Sequence, residues 1–312
     1  MPHRQTLMRA VVACLFAAAL SATSPGASAQ AATGLCGFKT GTSTVNKVMV
    51  IWFENKDYAS IVGSGSAPYL NNTVKAKCGL ATNYHALTHP SLPNYLSATS
   101  GVSYATAPFS ADCSPTSASC TTGNLNIYKQ ESNAGRGWRG YAESMPSACD
   151  KSNSGNYAVR HNPPPYYTDL NSCASFDLPL GTTSSGNLIS DINSGGLPAY
   201  STVTPNLCND MHDCGVSTGD SWLSTWIPKI TAGPDYQNGK LAVFIVWDEG
   251  SGSGNSQSHV ACFVLSAFTP AGTQSATSFT HYSLLRTSEE ITGVGLLGNA
   301  ASAASMRSAF HI

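Results

Sequence analysis

Stretches of apolar residues recur along the chain and alternate with polar segments rich in Gly, Ser, Thr and Asn. The runs at 48–53, 241–247 and 260–265 are continuously apolar, which is typical of strands buried on both faces of a sheet. With shorter runs they predict strands at 45–53, 79–87, 138–143, 199–203, 241–247 and 259–268. The segments between them predict helices at 68–77, 95–101, 125–134, 188–193, 221–231 and 281–292. Strands that alternate with helices predict an α/β fold, a three-layer α/β/α sandwich with a mostly parallel central sheet.

Acidic side chains follow two of these strands at the point where each strand ends. Glu54 and Asn55 come directly after the first strand, and Asp248 and Glu249 come after the strand at 241–247. Ligands bind at the carboxyl ends of strands in such sheets, so we expect these side chains to meet at one edge. Three carboxylates and an amide oxygen suit one divalent cation, with Mg²⁺, Ca²⁺ or Mn²⁺ favoured over Zn²⁺. The alternative is that both strand ends turn polar because they reach solvent.

Ser91 is a candidate nucleophile. It lies between Pro90 and Pro93, where a predicted strand gives way to a helix. The free N–H groups and the positive dipole end of that helix would favour a phosphate beside the hydroxyl. The alternative is that Ser91 caps the helix, because serine is a preferred N-cap residue. Taken alone, this stretch favours the cap.

Three histidines lie in segments expected at the same edge of the sheet. His161 is in a proline-rich loop, His212 is in a loop with Asn and Asp residues, and His259 opens the last predicted strand. A single histidine is usually structural, but three in loops at one sheet edge indicate a functional site. His85, His89 and His281 are weaker candidates.

The first 29 residues have the pattern of an export signal. Arg4 and Arg9 precede an apolar core at 10–20, and small residues at 27–29 form a cleavage site. No later run approaches the ~20 apolar residues that a transmembrane helix needs. We therefore predict a secreted protein with a signal peptide at 1–29, a lead-in segment at 30–44 and a single domain at 45–312. Cleavage leaves 14 basic and 17 acidic residues, which gives no basic patch for nucleic acid.

Nine cysteines remain after cleavage, and most of them should pair in an oxidising compartment. Proximity along the chain suggests four pairs: Cys36 with Cys78, Cys113 with Cys120, Cys149 with Cys173, and Cys208 with Cys214. Cys262 lies inside an apolar run and is predicted to be a free, buried thiol.

Six motifs occur in an order that resembles a known family. They lie at 54–58 (ENKDY), 88–96 (THPSLPNYL), 160–167 (RHNPPPYY), 204–213 (TPNLCNDMHD), 244–250 (FIVWDEG) and 281–293 (HYSLLRTSEEITG). Together they resemble the bacterial phosphoesterase family of secreted acid phosphatases and phospholipases C, within the alkaline phosphatase superfamily. The resemblance spans nearly the whole mature chain and implies an alkaline-phosphatase-like fold.

The resemblance also implies roles for particular residues. It matches Ser91 to the nucleophile, Asn94 to a phosphate-binding asparagine and His259 to a histidine near the site. His161 and His212 fall in family motifs and are candidate catalytic residues. The implied metal ligands are Glu54, Asn55, Asp248 and Glu249. Asn55 and Glu249 stand where two-metal members of the superfamily carry Asp and His, so a single metal ion is expected.

These residues predict a metal-dependent phosphomonoesterase, an acid phosphatase acting on phosphoinositides or other organic phosphates through a phosphoserine. Its partner would be a small phosphorylated substrate or a lipid headgroup, and we expect a monomer with a slightly acidic pH optimum. One alternative is a phospholipase C, whose choline-like substrate needs an aromatic pocket that Trp138, Tyr166 and Tyr167 could line. The other is a non-catalytic exported module that holds a structural Ca²⁺.

Overall fold

The structure is a computed structural model that describes residues 1–3, 34–252 and 258–312. The predicted signal peptide lies almost entirely outside the described residues, as does the start of the lead-in segment. The described residues from 34 onward belong to one compact unit. The boundary between the lead-in segment and the domain at residue 45 stays a prediction.

The described part of the chain alternates strands with helices. The strands are β1 (Lys47–Phe53), β2 (Gly79–His85), β3 (Trp138–Ala142), β4 (Asp177–Pro179), β5 (Tyr200–Thr204), β6 (Leu241–Trp247), β7 (His259–Ser266), β8 (Gln274–Ser275) and β9 (Phe279–Thr280). The helices are α1 (Tyr58–Ile61), α2 (Ser91–Ser100), α3 (Ile127–Asn133), α4 (Cys173–Phe176), α5 (Asn187–Ser194), α6 (Val216–Ala232), α7 (Pro234–Gln237), α8 (His281–Thr292) and α9 (Arg307–Phe310).

The six predicted strands are present, and the differences lie mainly in the helices. The helix predicted at 68–77 is present, and its central residues Leu70–Lys75 are π-helical. The helix predicted from residue 95 begins four residues earlier, because a proline such as Pro93 is tolerated in the first turn of a helix. The helix predicted at 221–231 likewise begins earlier, at Val216.

All nine strands of the described residues form one sheet, in the order β4-β3-β5-β1-β6-β7-β2-β8, with β9 also paired to β2. Most neighbouring strands are parallel, and β7 runs antiparallel to both β6 and β2. The carboxyl ends of β1, β2, β5 and β6 therefore lie at one edge of the sheet, where β7 begins. The predicted α/β fold with a mostly parallel sheet is confirmed.

Two consecutive residues of β1 show that helices cover both faces of the sheet. The Trp52 ring packs 4.9 Å from the Tyr95 ring of α2 and also contacts His281 of α8. The Phe53 ring packs 6.1 Å from Trp222 of α6. Successive residues of a strand point to opposite faces, so α2 and α8 cover one face and α6 covers the other.

The four predicted disulfides are confirmed, and Cys262 is a free, buried thiol as predicted. The bridge between Cys36 and Cys78 ties the lead-in segment to the residue before β2. The bridge between Cys208 and Cys214 closes the loop that follows β5. None of the described helices combines the length and apolar character that crossing a membrane requires.

We expect Trp52→Ala to lower the free energy of unfolding by about 3–5 kcal/mol, because it removes a fully buried ring that joins the sheet to two helices. Equilibrium denaturation measures this change. Leu125→Ala is the control, because Leu125 is 46% exposed and its loss should change stability by less than about 0.5 kcal/mol. Similar unfolding free energies for the two variants would contradict the packing described here.

Candidate active site

Polar side chains from distant parts of the sequence meet at the edge of the sheet where β1, β5 and β6 end. Glu54 follows β1, Asp210 lies in the loop after β5, and Asp248 follows β6. Ser91 begins α2, which follows β2 after a short loop. The predicted convergence of these strand ends is therefore present in the structure.

Glu54 lies at the centre of this cluster and is fully buried. Its Oε2 accepts a hydrogen bond from Ser91 Oγ at 3.1 Å, and its Oε1 accepts one from the Tyr95 hydroxyl at 2.5 Å. His161 Nε2 lies 3.2 Å from the same Oε1. The Glu54 backbone N–H donates to the carbonyl oxygen of Asp210 at 2.9 Å. One residue thus joins the end of β1 to α2 and to two loops.

Ser91 is the first residue of α2, so the alternative that it caps this helix is wrong. The N-cap is Pro90, which has an extended backbone. The Ser91 hydroxyl bonds to Glu54 rather than to a backbone N–H. Ser91 also lies on the wall of a cavity of about 450 Å³. The hydroxyl therefore stands between a buried carboxyl group and an open space.

Asn94 does not face that cavity. Its Oδ1 accepts hydrogen bonds from the backbone N–H groups of Leu87 and Thr88, and its Nδ2 lies within hydrogen-bond distance of the carbonyls of Thr88 and Pro90. Nδ2 also lies 3.2 Å from Glu249 Oε2. Asn94 is fully buried, and both ends of its amide are occupied by protein. In this structure it holds the loop before Ser91 and is not placed to contact a phosphate.

The residues after β6 form a tight turn with Asn55. Asp248 Oδ1 accepts hydrogen bonds from the backbone N–H groups of Asn55 at 3.3 Å and Glu249 at 2.6 Å. Asp248 Oδ2 is buried and has no well-aligned hydrogen bond among the described residues, although the side chains of Glu54 and Ser91 lie close to the carboxyl group. The side chain of Glu249 bonds elsewhere, since its Oε1 lies 3.1 Å from His89 Nδ1. The four predicted metal ligands are therefore neighbours, but their side chains have different surroundings.

His161 lies between two acidic residues inside the cluster. Its Nε2 is 3.2 Å from Glu54 Oε1, and its Nδ1 is 3.2 Å from Asp210 Oδ2. Potential ligand atoms of Glu54, His161 and Asp210 all lie within 4.8 Å of one another. Two oxygens and an imidazole nitrogen at this separation fit a metal ion.

His212 lies on the cavity wall rather than inside the cluster. Its Nε2 is 3.1 Å from Arg160 Nη2, and its Nδ1 is 2.7 Å from Asp213 Oδ1. A guanidinium group only donates hydrogen bonds, so Nε2 must accept and the proton must reside on Nδ1. His212 is thus held as the neutral tautomer whose Nε2 lone pair is bound to Arg160.

The structure does not bring His259 into the cluster. Its ring stacks on Tyr58 with the centroids 4.2 Å apart and on His85 at 5.2 Å. Its side chain is exposed at the start of β7 and does not line the cavity that contains Ser91. A catalytic role for His259 has no geometric support here.

Burial dominates the electrostatics of the cluster. Burial, followed by the charges of Asp248 and Asp210, raises the pKa of Glu54 well above its usual range. Burial raises the pKa of Asp210 and that of Asp248 to about 7. Burial and the neighbouring Asp248 raise the pKa of Glu249 to about 10. Burial also lowers the pKa of His161 well below its usual range. Burial and mutual repulsion therefore disfavour the ionised form of these carboxyl groups unless a cation binds between them.

The donor set fits such a cation on two observations. Asp248 has a buried carboxylate oxygen with no well-aligned hydrogen bond among the described residues, and Glu54, His161 and Asp210 have potential ligand atoms within 4.8 Å of one another. The oxygen-rich set suits a hard divalent cation, while one imidazole also allows a transition metal. The residues that could hold it are Glu54, Asp248, Asp210 and His161.

Several residues of the site were not predicted as site residues. Tyr95 could have been found, because it lies four residues after Ser91 and so on the same side of α2. Asp210 lies two residues before His212 in the loop closed by a disulfide. His281, a weaker candidate, donates from Nε2 to the Asp248 carbonyl at 2.6 Å. Arg160 precedes His161, but no feature of the sequence indicates that its side chain points into the cavity.

Solved structures with similar folds include two phosphoesterase-like proteins by name, and the likeness is one of architecture. A protein of the alkaline phosphatase superfamily from Vibrio parahaemolyticus aligns with a TM-score of 0.56 at 13% identity, over 84% of this chain and 71% of that chain. Murine ectonucleotide pyrophosphatase/phosphodiesterase 5 aligns with a TM-score of 0.53 at 8% identity, over 81% of this chain and 96% of that chain. These likenesses concern the fold alone, which this chain shares with a solved structure from the alkaline phosphatase superfamily.

Sequence comparison identifies the family. Residues 64–295 match the profile of the Phosphoesterase family. A phosphatidylinositol-3-phosphatase of Mycobacterium tuberculosis is 31% identical over 265 residues, which are 83% of this chain and 81% of that protein. The chain belongs to the Phosphoesterase family, and the predicted class, a hydrolase of phosphoric esters, is confirmed.

Fungal acid phosphatases are also similar but are longer. An acid phosphatase of Aspergillus fumigatus is 27% identical over 265 residues. The alignment covers 81% of this chain and 56% of that protein. The chain thus spans little more than half the length of this fungal relative.

We expect the affinity for a divalent cation to rise with pH, because protons compete for carboxyl groups whose pKa burial raises to about 7. Below that pH the metal-free carboxyl groups are protonated, so binding must release protons. Calorimetric titration with Mn²⁺ should give a Kd that falls roughly tenfold or more from pH 5.5 to pH 7.5. Asp248→Asn should weaken binding at pH 7.5. An affinity independent of pH would contradict this view of the site.

Proposed function

We propose that this protein is a secreted, metal-dependent phosphomonoesterase that acts through a phosphoserine at Ser91. The observation that carries this proposal is the hydrogen bond from Ser91 Oγ to the buried Glu54 carboxyl group at the wall of a cavity. A nucleophilic alcohol needs a nearby group that accepts its proton, and Glu54 Oε2 lies 3.1 Å away.

The chemistry follows from the residues around Ser91. A divalent cation held by Glu54, Asp248, Asp210 and His161 would supply positive charge that lowers the pKa of a nearby alcohol and attracts phosphate oxygens. Ser91 Oγ gives its proton to Glu54 and attacks phosphorus in line with the ester oxygen. The bond from phosphorus to the ester oxygen breaks, and the departing alkoxide takes up a proton from water. Water then cleaves the bond between phosphorus and Ser91 Oγ and releases inorganic phosphate. Arg160, a fixed cation of the cavity wall, would stabilise charge on the non-bridging oxygens.

His212 suits the second step better than the first. Once Nε2 releases Arg160, its lone pair can accept a proton from water, and Asp213 holds the ring in that tautomer. The predicted role of His212 as an acid for the departing alkoxide requires its Nε2 to lose the contact with Arg160 and gain a proton. His161 is buried between acidic groups, so we assign it to the cation site rather than to proton transfer.

The lining of the cavity favours a monoester over a choline-containing diester. The three aromatic side chains that a phospholipase C pocket could have used, Trp138, Tyr166 and Tyr167, are buried in the core. No Phe, Tyr or Trp side chain lines the cavity beside Ser91 among the described residues. A quaternary ammonium group would therefore find none of the three rings that bind such cations best.

The names of the relatives agree with this proposal. They are a phosphatidylinositol-3-phosphatase and acid phosphatases, which are phosphomonoesterases by name. Small organic phosphates, including phosphoinositide headgroups, are accordingly the substrates we propose. The four disulfides support secretion, because such bridges persist in oxidising compartments. The monomeric state stays a prediction.

We expect Ser91→Ala to lower kcat roughly 1000-fold or more while the protein stays folded, because it removes the attacking oxygen. Mass spectrometry after acid quench should detect a phosphate on Ser91 in the unmodified sequence. Ser100→Ala is the matched control, since Ser100 is buried on the same helix away from the cavity, and its hydroxyl donates to the Leu96 carbonyl and accepts from the Val102 backbone N–H. Near-normal turnover by Ser91→Ala would remove Ser91 from the proposed role.

Two substrates and a chelator separate the proposed function from its alternatives. We expect the protein to hydrolyse an aryl phosphate monoester much faster than a phosphocholine diester, because the cavity lacks Phe, Tyr and Trp side chains among the residues described. EDTA should abolish this activity without unfolding the protein, and one divalent ion should restore it. Preference for the diester would indicate a phospholipase C. Unfolding by the chelator, with no hydrolysis of either ester, would indicate a structural calcium module.

A further inference from the structure

A carboxylate of the protein accepts a hydrogen bond from a backbone N–H group that would otherwise be free to bind a phosphate. Asp112 lies on the same cavity wall as Ser91. Its Oδ1 accepts a hydrogen bond at 2.9 Å from the backbone N–H of Leu92, the second residue of α2. The Asp112 side chain is about one third exposed, at 35%. A negative charge thus sits beside the nucleophile, at the positive end of its helix.

The first turn of α2 has few N–H groups to offer. Helix N-termini normally present several unpaired N–H groups, which makes them anion sites. Pro93 has no N–H, so the first three residues of α2 provide only the N–H groups of Ser91 and Leu92. Asp112 takes the second of these. The helix end is therefore already half satisfied by a carboxylate.

The Asp112 carboxylate also lies beside Arg160, a positively charged side chain of the cavity wall. Among the described residues that line the cavity, Arg160 is the one lysine or arginine. Its Nε lies 3.7 Å from Asp112 Oδ2. Its Nη2 donates to His212 Nε2 at 3.1 Å. An arginine and a helix N-terminus are the two kinds of group that proteins use most readily for phosphate. Asp112 contacts both.

We propose that Asp112 is a built-in anion at the phosphate subsite that weakens the binding of phosphate and disfavours substrates with a second phosphate near the ester. The inference rests on the proposed function, because it concerns the subsite of the same reaction. A fixed negative charge repels a phosphate dianion, so the product leaves readily. A pyrophosphate or nucleoside diphosphate brings still more negative charge and is repelled more.

Two other roles for Asp112 give different results on substitution. If Asp112 only capped the helix, its substitution would change the stability of the protein and would leave the affinity for phosphate unchanged. As a support for Arg160, it would strengthen phosphate binding. Asp112→Asn separates the three roles, because the asparagine oxygen can still accept the Leu92 N–H while the charge is lost.

The first experiment is a calorimetric titration of inorganic phosphate into the protein saturated with its divalent cation. We expect Asp112→Asn to lower the Kd for phosphate roughly tenfold. Asp191→Asn is the matched control, because Asp191 forms a similarly exposed pair with Arg139 at 3.8 Å away from the cavity, and its Kd should not change. Arg160→Ala should raise the Kd.

Both other outcomes overturn the proposal. An unchanged Kd in Asp112→Asn would leave Asp112 as a cap, and a higher Kd would make it a support for Arg160. Thermal unfolding checks that each variant is folded. Asp112→Ser, which also removes the charge, replaces the asparagine variant if that variant fails to fold.

The second experiment measures specificity. Asp112→Asn should raise the ratio of kcat/KM for pyrophosphate to kcat/KM for an aryl phosphate, and an unchanged ratio would count against the proposal. If the unmodified protein hydrolyses neither substrate, the proposed function fails. The phosphate titration still decides the role of Asp112 in that case, because it requires no turnover.

Discussion

Several carboxyl groups buried together at one sheet edge are the constraint on which the rest of the structure depends. Glu54, Asp210 and Asp248 are fully buried, and Glu249 nearly so. Two unit charges 4 Å apart repel each other by about 4 kcal/mol even at the effective dielectric constant of a protein surface. Such a group persists in a folded protein only when protons or a cation neutralise it and hydrogen bonds hold it in place. The fold supplies the hydrogen bonds, and the raised pKa values describe the cost that remains without a cation.

The alternation of side chains along β1 explains how Ser91 reaches this cluster. Trp52 and Glu54 are two residues apart and so point to the same side of the sheet, the side covered by α2. Tyr95 of α2 contacts both, since its ring packs on Trp52 and its hydroxyl bonds to Glu54. Ser91 lies one turn earlier on the same face of the helix. The core contact between Trp52 and Tyr95 thus positions Ser91 against the carboxyl group.

The sequence predicts the strand ends better than the contacts between loops. Glu54 and Asp248 were predicted because each follows a continuous apolar run, whose end marks where a buried strand leaves the sheet. The start of α2 was misplaced, because Pro93 looks like a break in a helix although a first turn tolerates it. The contact between His161 and Asp210 joins residues 49 positions apart and depends on how two loops fold. Asp112 lies in an irregular loop, so no periodicity connects it with the helix that it contacts.

The motifs at the edge of the sheet each contribute to two layers. One layer is buried and suits a cation, and it consists of Glu54, His161, Asp210 and Asp248. The other lines the cavity beside Ser91, and it consists of Asn55, Arg160, His212 and Glu249. Each member of the second layer lies one or two residues from a member of the first, because neighbouring residues at a strand end or in a tight loop point in different directions. A shift of any one of these loops must therefore move a residue of both layers. In the proposed function, this arrangement would couple the retention of a cation to the shape of the phosphate subsite.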